Sequence, residues 1–306
     1  MKPTFWLGSH MKQSAAILVC STAKENQAIS KTREAAIINA NREFHRQIAH
    51  KYDRYESCAA DSRIQDSLER DLDKISVCLN QLDRVPRCLD CGGGTGNLTL
   101  KMCARGWSVT VVDISDEMLD LLRKKARAMG HSPVLVSSSI EEFLEAARDK
   151  YDLVSFSSVL HHLFSYASVV ERAASRVRSG GFFYSNYDPV VPLRPRLTRA
   201  FDSLDIAFAK LVLDSRDVLP GIGRRIRKLF TPADPFLHRT VVTAGDIAEY
   251  HAKTGLDDRE LLRILQRNRF TVIEHMRYAA GRTPAIRFFN RRLRLLENFK
   301  IIARRS

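Results

Sequence analysis

Residues Arg87–Leu100, which read RCLDCGGGTGNLTL, decide the fold that this sequence predicts. A short apolar run ends in an acid, glycines follow at positions 92, 94 and 96, and helical periodicity begins near Asn97. The order of strand, tight turn and helix is typical of a nucleotide site, because glycine lets backbone approach a ligand and adopt positive φ. The free N–H groups at the helix start then face that ligand. A dinucleotide fingerprint would place its third glycine at position 97, where this chain has Asn, so the spacing disfavours NAD.

The spacing that is present, an acid followed by three alternating glycines, resembles the class I S-adenosylmethionine-dependent methyltransferases, in their small-molecule branch. The resemblance covers residues 41–188 and the end strands near 269–304. It implies an α/β fold with a Rossmann-like, mostly parallel sheet of seven strands and helices on both faces. It also implies S-adenosyl-L-methionine as cofactor and S-adenosyl-L-homocysteine as product. The residues it assigns to the cofactor in this turn are Asp90, Gly92, Gly94 and Gly96.

A second signal is Asp113, at the tip of the next predicted strand, 107–113. One carboxylate has two oxygens and can accept hydrogen bonds from both hydroxyls of a ribose. The alternative is that Asp113 only caps the following helix, for which Ser115 is also a good N-cap. Ile114 is a further cofactor candidate, and Met118 is predicted to lie against the adenine, although a methionine at helical spacing is more often a core residue.

The third predicted strand, 133–137, leads to two further cofactor candidates, Ser139 and Ile140. The resembled family usually has an acid at the position of Ser139, where it holds the adenine amino group. In this chain either the hydroxyl must serve or Glu141 must reach the same place.

A third signal is the stretch 151–163, which resembles the family's fourth strand and the loop beside the transferred methyl group. Its end is rich in small hydroxyl residues, so Ser157 is predicted to let cofactor and acceptor approach the backbone. The stretch ends in His161 and His162. We predict His162 as a general base and His161 as a substrate contact; the alternative for His162 is a ring bonded to backbone at a helix start.

Two further predictions concern the flanks of the core. The helical pattern over 22–55 ends in YDRY, and the resemblance implies that this helix covers the cofactor, with Tyr52 and Tyr55 closing the site and Tyr52 contacting substrate. A surface helix is the alternative. The predicted fifth strand, 182–188, follows a turn at Gly180–Gly181 and carries Tyr187 as a substrate contact and Asp188 as a catalytic polar group at the carboxyl edge of the sheet.

The chain is divided into five predicted parts. Residues 1–21 are a disordered leader or a remnant of an expression vector, since Gly8–Met11 resembles a protease-cleavage scar. Residues 22–83 are N-terminal helices over the cofactor site, and 84–188 are the cofactor-binding core. Residues 189–268 exceed what a connection requires and are predicted to form a helical lid that shapes the substrate pocket. Residues 269–306 complete the sheet.

The amino-acid composition limits which class of protein this is and which partners it can have. The 306 residues are 44% apolar, enough for a large core, and carry a net charge of +14. Residues 191–306 hold 24 Lys and Arg against 12 Asp and Glu, so most of the basic excess lies there. No apolar run approaches the ~20 residues of a membrane span. A helix over 286–296, with apolar and arginine stripes, leaves a peripheral membrane-surface contact open, against the simpler alternative of a helix docked on the sheet.

The six cysteines lie between positions 20 and 103. An extended strand would point Cys88 and Cys91 to opposite faces, and no second pair completes a zinc site, so no metal is predicted. Buried thiols fit a reducing, cytoplasmic location.

The predicted function is methyl transfer from S-adenosylmethionine to a small apolar or anionic acceptor, with oxygen favoured as the acceptor atom. In-line displacement needs neither a metal nor a covalent enzyme intermediate, only alignment and exclusion of water. One alternative is methylation of RNA or another polyanion, although aromatic residues do not interleave the basic stretch 224–228. Another is a non-catalytic protein of the same fold, and a nicotinamide dehydrogenase ranks below both. The sequence predicts neither the acceptor nor the oligomeric state.

Overall fold

A computed structural model of the chain describes residues 10–55, 61–191, 204, 247, 248, 250–252, 254–279 and 284–306. Its centre is a seven-stranded sheet in the order β3-β2-β1-β4-β5-β7-β6. Strands β1 to β5 run parallel to one another, and β7 is antiparallel to both β5 and β6. The strands are β1 (Arg87–Cys91), β2 (Ser108–Asp113), β3 (Val134–Ser137), β4 (Tyr151–Ser157), β5 (Val177–Pro189), β6 (Phe270–Tyr278) and β7 (Asn298–Arg305). The predicted Rossmann-like, mostly parallel sheet is confirmed.

Helices precede and connect the strands. In chain order they are α1 (His10–Ile48), a 3-10 turn (Ala49–Lys51), α2 (Tyr52–Tyr55), α3 (Ser62–Leu79), α4 (Asn97–Ala104), α5 (Asp116–Ala128), α6 (Ile140–Ala146), a second 3-10 turn (Leu160–His162), α7 (Tyr166–Ser175), α8 (Asp258–Arg267) and α9 (Pro284–Arg292). Polar caps set several starts: Asp61, Ser115 and Asp257 accept hydrogen bonds from backbone N–H groups of α3, α5 and α8. Helix α1 begins at His10, not at Thr22.

Two apolar clusters cover the two faces of the sheet. One contains the buried stripe of α3, including Leu68, Leu72 and Ile75, together with Cys88 of β1. The other contains Cys91 of β1 with residues of α6, α7 and α8. Cys88 and Cys91 therefore lie on opposite faces as predicted, and burial raises the pKa of both thiols.

A buried ion pair joins helix α3 to strand β7, the last strand of the chain. Lys300 of β7 is 3% exposed, and its Nζ lies 2.7 Å from Asp71 Oδ1 of α3 and 2.7 Å from Glu274 Oε1 of β6. The hydroxyl of Tyr184 donates to the second Asp71 oxygen at 3.0 Å. Lys74 of α3 lies 2.6 Å from the other Glu274 oxygen, so two cations face two carboxylates, and the group ties α3 to three neighbouring strands.

The fifth strand departs from the prediction. It begins at Val177, and the predicted turn at Gly180–Gly181 is wrong, because both glycines lie within β5. The pairing of β4 with β5 shifts register between Tyr151 and Leu153, and Gly180 has φ +78°. A Cβ at position 181 would lie 2.8 Å from the Asp152 carbonyl, so the glycines form an irregular strand segment.

The predicted helical lid over 189–268 lies mostly outside the described residues and stays a prediction. The described parts include the bridge between Val190 and Leu256, and helix α8. Among the helices that the structure describes, none combines the length and apolar character of a membrane crossing.

Gly96 shows why the last glycine of the turn is required. Its φ is +91°, and a Cβ there would lie 2.1 Å from Leu122 Cδ1 of α5, a side chain with 0% exposure. Position 96 therefore tolerates no side chain for two reasons, backbone conformation and close packing of the turn against α5.

We expect Gly96→Ala to lower the free energy of unfolding by about 3 kcal/mol, combining left-handed strain with overpacking. Gly130→Ala is the matched control, since Gly130 has φ +75° but no atom within 4 Å of an added Cβ; it should cost only about 1 kcal/mol. Urea unfolding of the three proteins measures the difference. Equal losses in the two variants would show that packing against Leu122 contributes nothing.

Candidate functional site

A cavity of about 700 Å³, including its open mouth, lies at the carboxyl ends of β1, β2 and β4. Its walls come from α1, the glycine turn, the tip of β2, the start of α6 and the turn after β4. A second cavity of about 350 Å³ shares Tyr52, Gly92 and Gly94 with the first. The two form one continuous cleft at the edge where open α/β sheets bind ligands.

The glycine turn forms the floor where the two cavities meet. Gly92 and Gly94 have φ of +69° and +53°. A Cβ at Gly92 would lie 2.6 Å from Val159, whereas one at Gly94 would have no protein atom within 4 Å and would occupy open space beside the turn. The backbone at Gly92 and Gly94 therefore faces the cleft without a side chain. Gly96 lines neither cavity and acts through packing.

Asp90 lies beneath the glycine turn. Asp90 and Ser157 both line the smaller cavity. Asp90 is 1% exposed, and it accepts hydrogen bonds from the hydroxyls of Thr99 at 2.6 Å and Ser155 at 2.9 Å. Burial raises the pKa of this carboxyl from its ordinary 3.8 to about 6, against the lowering effect of the two hydroxyl bonds.

Asp113 joins the turn to the tip of β2. One carboxylate oxygen accepts from the Gly94 N–H at 2.8 Å and the other from the Ser115 N–H at 2.9 Å. The residue lines the main cavity with 9% exposure, and burial raises its pKa. It does not cap the helix itself, because Ser115 does so with its hydroxyl, which accepts from the Met118 N–H at 3.3 Å.

The far end of the main cavity is lined by the predicted cofactor-binding residues Ile114, Met118, Ser139 and Ile140. The Ser139 hydroxyl accepts from the Glu142 N–H at 3.2 Å and so caps α6. Glu141 also lines the cavity, and burial raises the pKa of its carboxyl. Of the two groups that could replace the family's acid, the Glu141 carboxylate is the one without a capping role.

The paired histidines differ in position. His162 lines the main cavity, and its Nδ1 lies 2.9 Å from the Ala248 carbonyl oxygen. Burial, and then the neighbouring histidines, hold the pKa of His162 well below 6.5. His161 lies behind it, with Nδ1 2.8 Å from Asp188 Oδ1.

Two predicted site residues, Asp188 and Tyr187, are not among the described residues that line the cleft. Asp188 is 0% exposed and also accepts from the His161 backbone N–H at 3.2 Å, so the structure places it where it orients His161. Tyr187 packs partly buried beside the α3 side of the sheet with φ +64°. Their predicted roles in catalysis and substrate contact stay predictions.

Helix α1 contributes residues that the sequence analysis missed. Ile37, Asn41 and His45 all line the main cavity at four-residue spacing, so the helix presents one face to it. Asn41 donates to the His162 carbonyl oxygen at 3.1 Å. The four-residue spacing of positions 37, 41 and 45 is visible in the sequence. An isoleucine, an asparagine and a histidine on one helix face, however, gave no reason to predict a binding site there instead of an ordinary protein surface.

Helix α2 fastens this N-terminal segment to the turn. Tyr52 lines both cavities, as its predicted closing role requires, and Asp53 accepts from the Thr95 hydroxyl at 2.5 Å. Asp53 also pairs with Lys125 of α5. The side chain of Tyr55 lies outside the described residues.

Comparison with known proteins agrees with this geometry. Residues 88–181 match the model of a methyltransferase domain family. A ubiquinone biosynthesis O-methyltransferase of Shewanella halifaxensis is 32% identical over 112 residues, which are 35% of this chain and 48% of that protein. Its counterpart in Aeromonas salmonicida is 36% identical over 95 residues, 31% of this chain and 40% of that protein. The chain thus spans less than half the length of these curated relatives.

Solved structures share the fold across most of the chain. Magnesium protoporphyrin IX methyltransferase from Synechocystis, with bound SAM, superposes with a TM-score of 0.52 at 15% identity, covering 88% of this chain and 97% of that one. An S-adenosylmethionine-dependent methyltransferase from Clostridium acetobutylicum gives 0.50 at 15% identity, with coverage of 85% and 98%.

The matched domain and the fold point to the same class of protein, the S-adenosylmethionine-dependent methyltransferases. Residues 88–181 match a methyltransferase domain, and the seven-stranded sheet around them is the fold shared with the solved methyltransferases. The resemblance inferred from the glycine turn is thereby confirmed.

The raised pKa of Asp90 predicts a pH dependence of stability. Between its ordinary pKa of 3.8 and about 6, the unfolded chain has lost this proton while the folded chain retains it. Stability therefore falls as pH rises through this window, by about 3 kcal/mol for the whole shift. Asp90→Asn lacks the titration, so its stability relative to wild type should rise between about pH 4 and pH 7. Urea unfolding at both pH values tests this; a constant difference would contradict it.

Proposed function

We propose that this protein transfers the methyl group of S-adenosylmethionine to an oxygen of a small-molecule acceptor. The observation that carries the proposal is the cleft in which bare glycine backbone and the Asp113 carboxylate face the same space at the carboxyl edge of the sheet. The oxygen specificity is supported by similarity to ubiquinone biosynthesis O-methyltransferases.

The residues present fit the cofactor. Each Asp113 oxygen accepts one backbone N–H and retains a lone pair for a ribose hydroxyl. Ile114, Met118 and Ile140 offer apolar contact to a flat adenine. The smaller cavity, with Asp90, Gly92, Gly94 and Ser157, suits the amino-acid end.

Electrostatics favour the same ligand. Among the described residues, the lining of the two cavities contains the acids Glu34, Asp90, Asp113 and Glu141 but no lysine or arginine. A sulfonium cation is stabilised by such surroundings, whereas a nucleotide pyrophosphate would be repelled. The net charge of +14 is therefore not a property of this cleft.

The bound cofactor supplies a methyl group on a positively charged sulfur, with a neutral thioether as leaving group. The chain supplies alignment and exclusion of water. Helix α1 and Tyr52 close the cleft over the turn, and Val159, packed on Gly92, shapes its floor next to Ser158 and His162. Alignment of donor and acceptor in such an enclosed site can contribute ~7 kcal/mol or more to barrier reduction.

We expect Asp113→Ala to weaken S-adenosylhomocysteine binding about 100-fold, because two hydrogen bonds to a charged group are lost. Isothermal titration calorimetry measures the change. Asp116→Asn is the matched control: it removes an exposed carboxylate three residues away, in the first turn of α5, and should leave affinity within about twofold. Thermal unfolding checks that both variants fold. Unchanged affinity in a folded Asp113→Ala would rule out the ribose assignment.

A further inference from the structure

Two imidazoles share the part of the main cavity next to the turn after β4. His45 of α1 and His162 both line it, with ring centroids 5.1 Å apart and planes at 81°. Asn41 holds the two elements together by donating from Nδ2 to the His162 carbonyl oxygen at 3.1 Å and to that of Ile37 at 3.0 Å. The pair is therefore built by the fold and is not a chance approach of two mobile side chains.

The hydrogen bonds of each ring determine its tautomer. His45 Nδ1 lies 2.9 Å from the Asn41 carbonyl oxygen, and His162 Nδ1 lies 2.9 Å from that of Ala248. A carbonyl oxygen can only accept, so each Nδ1 carries a proton. In the neutral rings each Nε2 then has a lone pair and no proton. Neither Nε2 has a partner among the residues that the structure describes.

A site with two imidazole lone pairs selects the acceptor's functional group. It can accept hydrogen bonds but, while neutral, cannot donate one to a carboxylate. Asn41 adds a third acceptor, since its buried Oδ1 has no donor among the described residues. The proton of a neutral hydroxyl can be donated to one of these acceptors, whereas a carboxylate has no proton to donate and meets lone pairs and acids on the same wall.

The two rings differ in their surroundings. Both rings are partly buried, and desolvation holds the pKa of His162 well below 6.5, so it stays neutral at neutral pH. His45 is partly exposed and close enough to Asp113 that an imidazolium there stabilises the carboxylate, lowering the Asp113 pKa against the effect of burial. Of the two rings, His45 is therefore the one beside a carboxylate.

On the basis of the function proposed above, we propose that the hydroxyl of a neutral acceptor donates its hydrogen bond to His45 Nε2, with His45 as the catalytic base and the lone pairs of His162 Nε2 and Asn41 Oδ1 disfavouring a carboxylate. The hydroxyl oxygen forms the new bond to the methyl carbon as the carbon–sulfur bond breaks. The electron pair of that bond stays on sulfur, giving S-adenosylhomocysteine. The hydroxyl proton passes to His45 Nε2, and the imidazolium later releases it to water, so atoms and charge balance. The acceptor class is a hydroxyl compound, not a carboxylic acid.

The first test compares three ring compounds that differ only in the group presented, namely phenol, its methyl ether anisole, and benzoate. Each is titrated into the S-adenosylhomocysteine-loaded protein and followed by ligand-observed NMR. We expect phenol to bind at least tenfold more tightly than anisole or benzoate, and this preference to fall to within about threefold in His45→Gln combined with His162→Leu. Wild type binding benzoate or anisole as tightly as phenol, or binding none of them, overturns the proposal. Failure to load S-adenosylhomocysteine contradicts the proposed function instead.

The second test follows the proton. 4-Nitrophenol is added to the loaded protein at a pH at which the free probe is mostly protonated, and nitrophenolate absorbance reports transfer to a base. We expect the bound probe to ionise in wild type and in the control His50→Gln, whose exposed histidine lies five residues further along the same segment. In His45→Gln the probe should bind without ionising, while ionisation in that variant, or its absence in wild type, shows that His45 is not the base. Affinity for S-adenosylhomocysteine should change less than threefold, which separates loss of the base from unfolding.

Discussion

The carboxylate of Asp113 accepts a backbone N–H from the glycine turn and another from the start of the next helix, and the site depends on this double contact. It is possible because β1 and β2 run side by side to the same edge, where the Gly92 N–H donates to the Val112 carbonyl oxygen at 2.7 Å. Turn and strand tip are thereby fixed relative to each other. The lone pairs left on the carboxylate then have a defined position in the cleft, which no flexible side chain would provide.

This arrangement buries acidic side chains, which destabilises their charged forms but also favours the binding of a cation. Asp90, Asp113 and Glu141 all have raised pKa values because they are withdrawn from water. A cation in the cleft would relieve that cost, so affinity for a sulfonium and the instability of the empty cleft have the same physical origin. Most of the net positive charge lies after position 190, while the lining of the cleft is acidic.

Local patterns were sufficient for the sheet, the glycine turn and the Asp113 position, because each depends on residues close together in sequence. Turn glycines, the acid at a strand tip and the Ser115 cap all show in short windows. What could not be predicted depends on distant pairs. Lys300 meets Asp71 across 229 positions, and Asn41 meets the His162 backbone across 121. Gly180–Gly181 was misread because glycine pairs mark turns and strand irregularities alike, and only the register of β4 against β5 separates the two.

The contribution of α1 links closure of the cleft to its chemistry. The same helix face carries Ile37, which packs over the cavity, Asn41, which bonds to the His162 backbone, and His45. Asp53 then anchors the following turn to Thr95 of the glycine turn. Displacement of α1 would open the cleft and break the hydrogen bond from Asn41 to the His162 carbonyl oxygen. It would also remove the His45 imidazole from the site. A ligand that holds α1 down therefore also assembles the acceptor site, so binding of cofactor and of acceptor should be positively coupled.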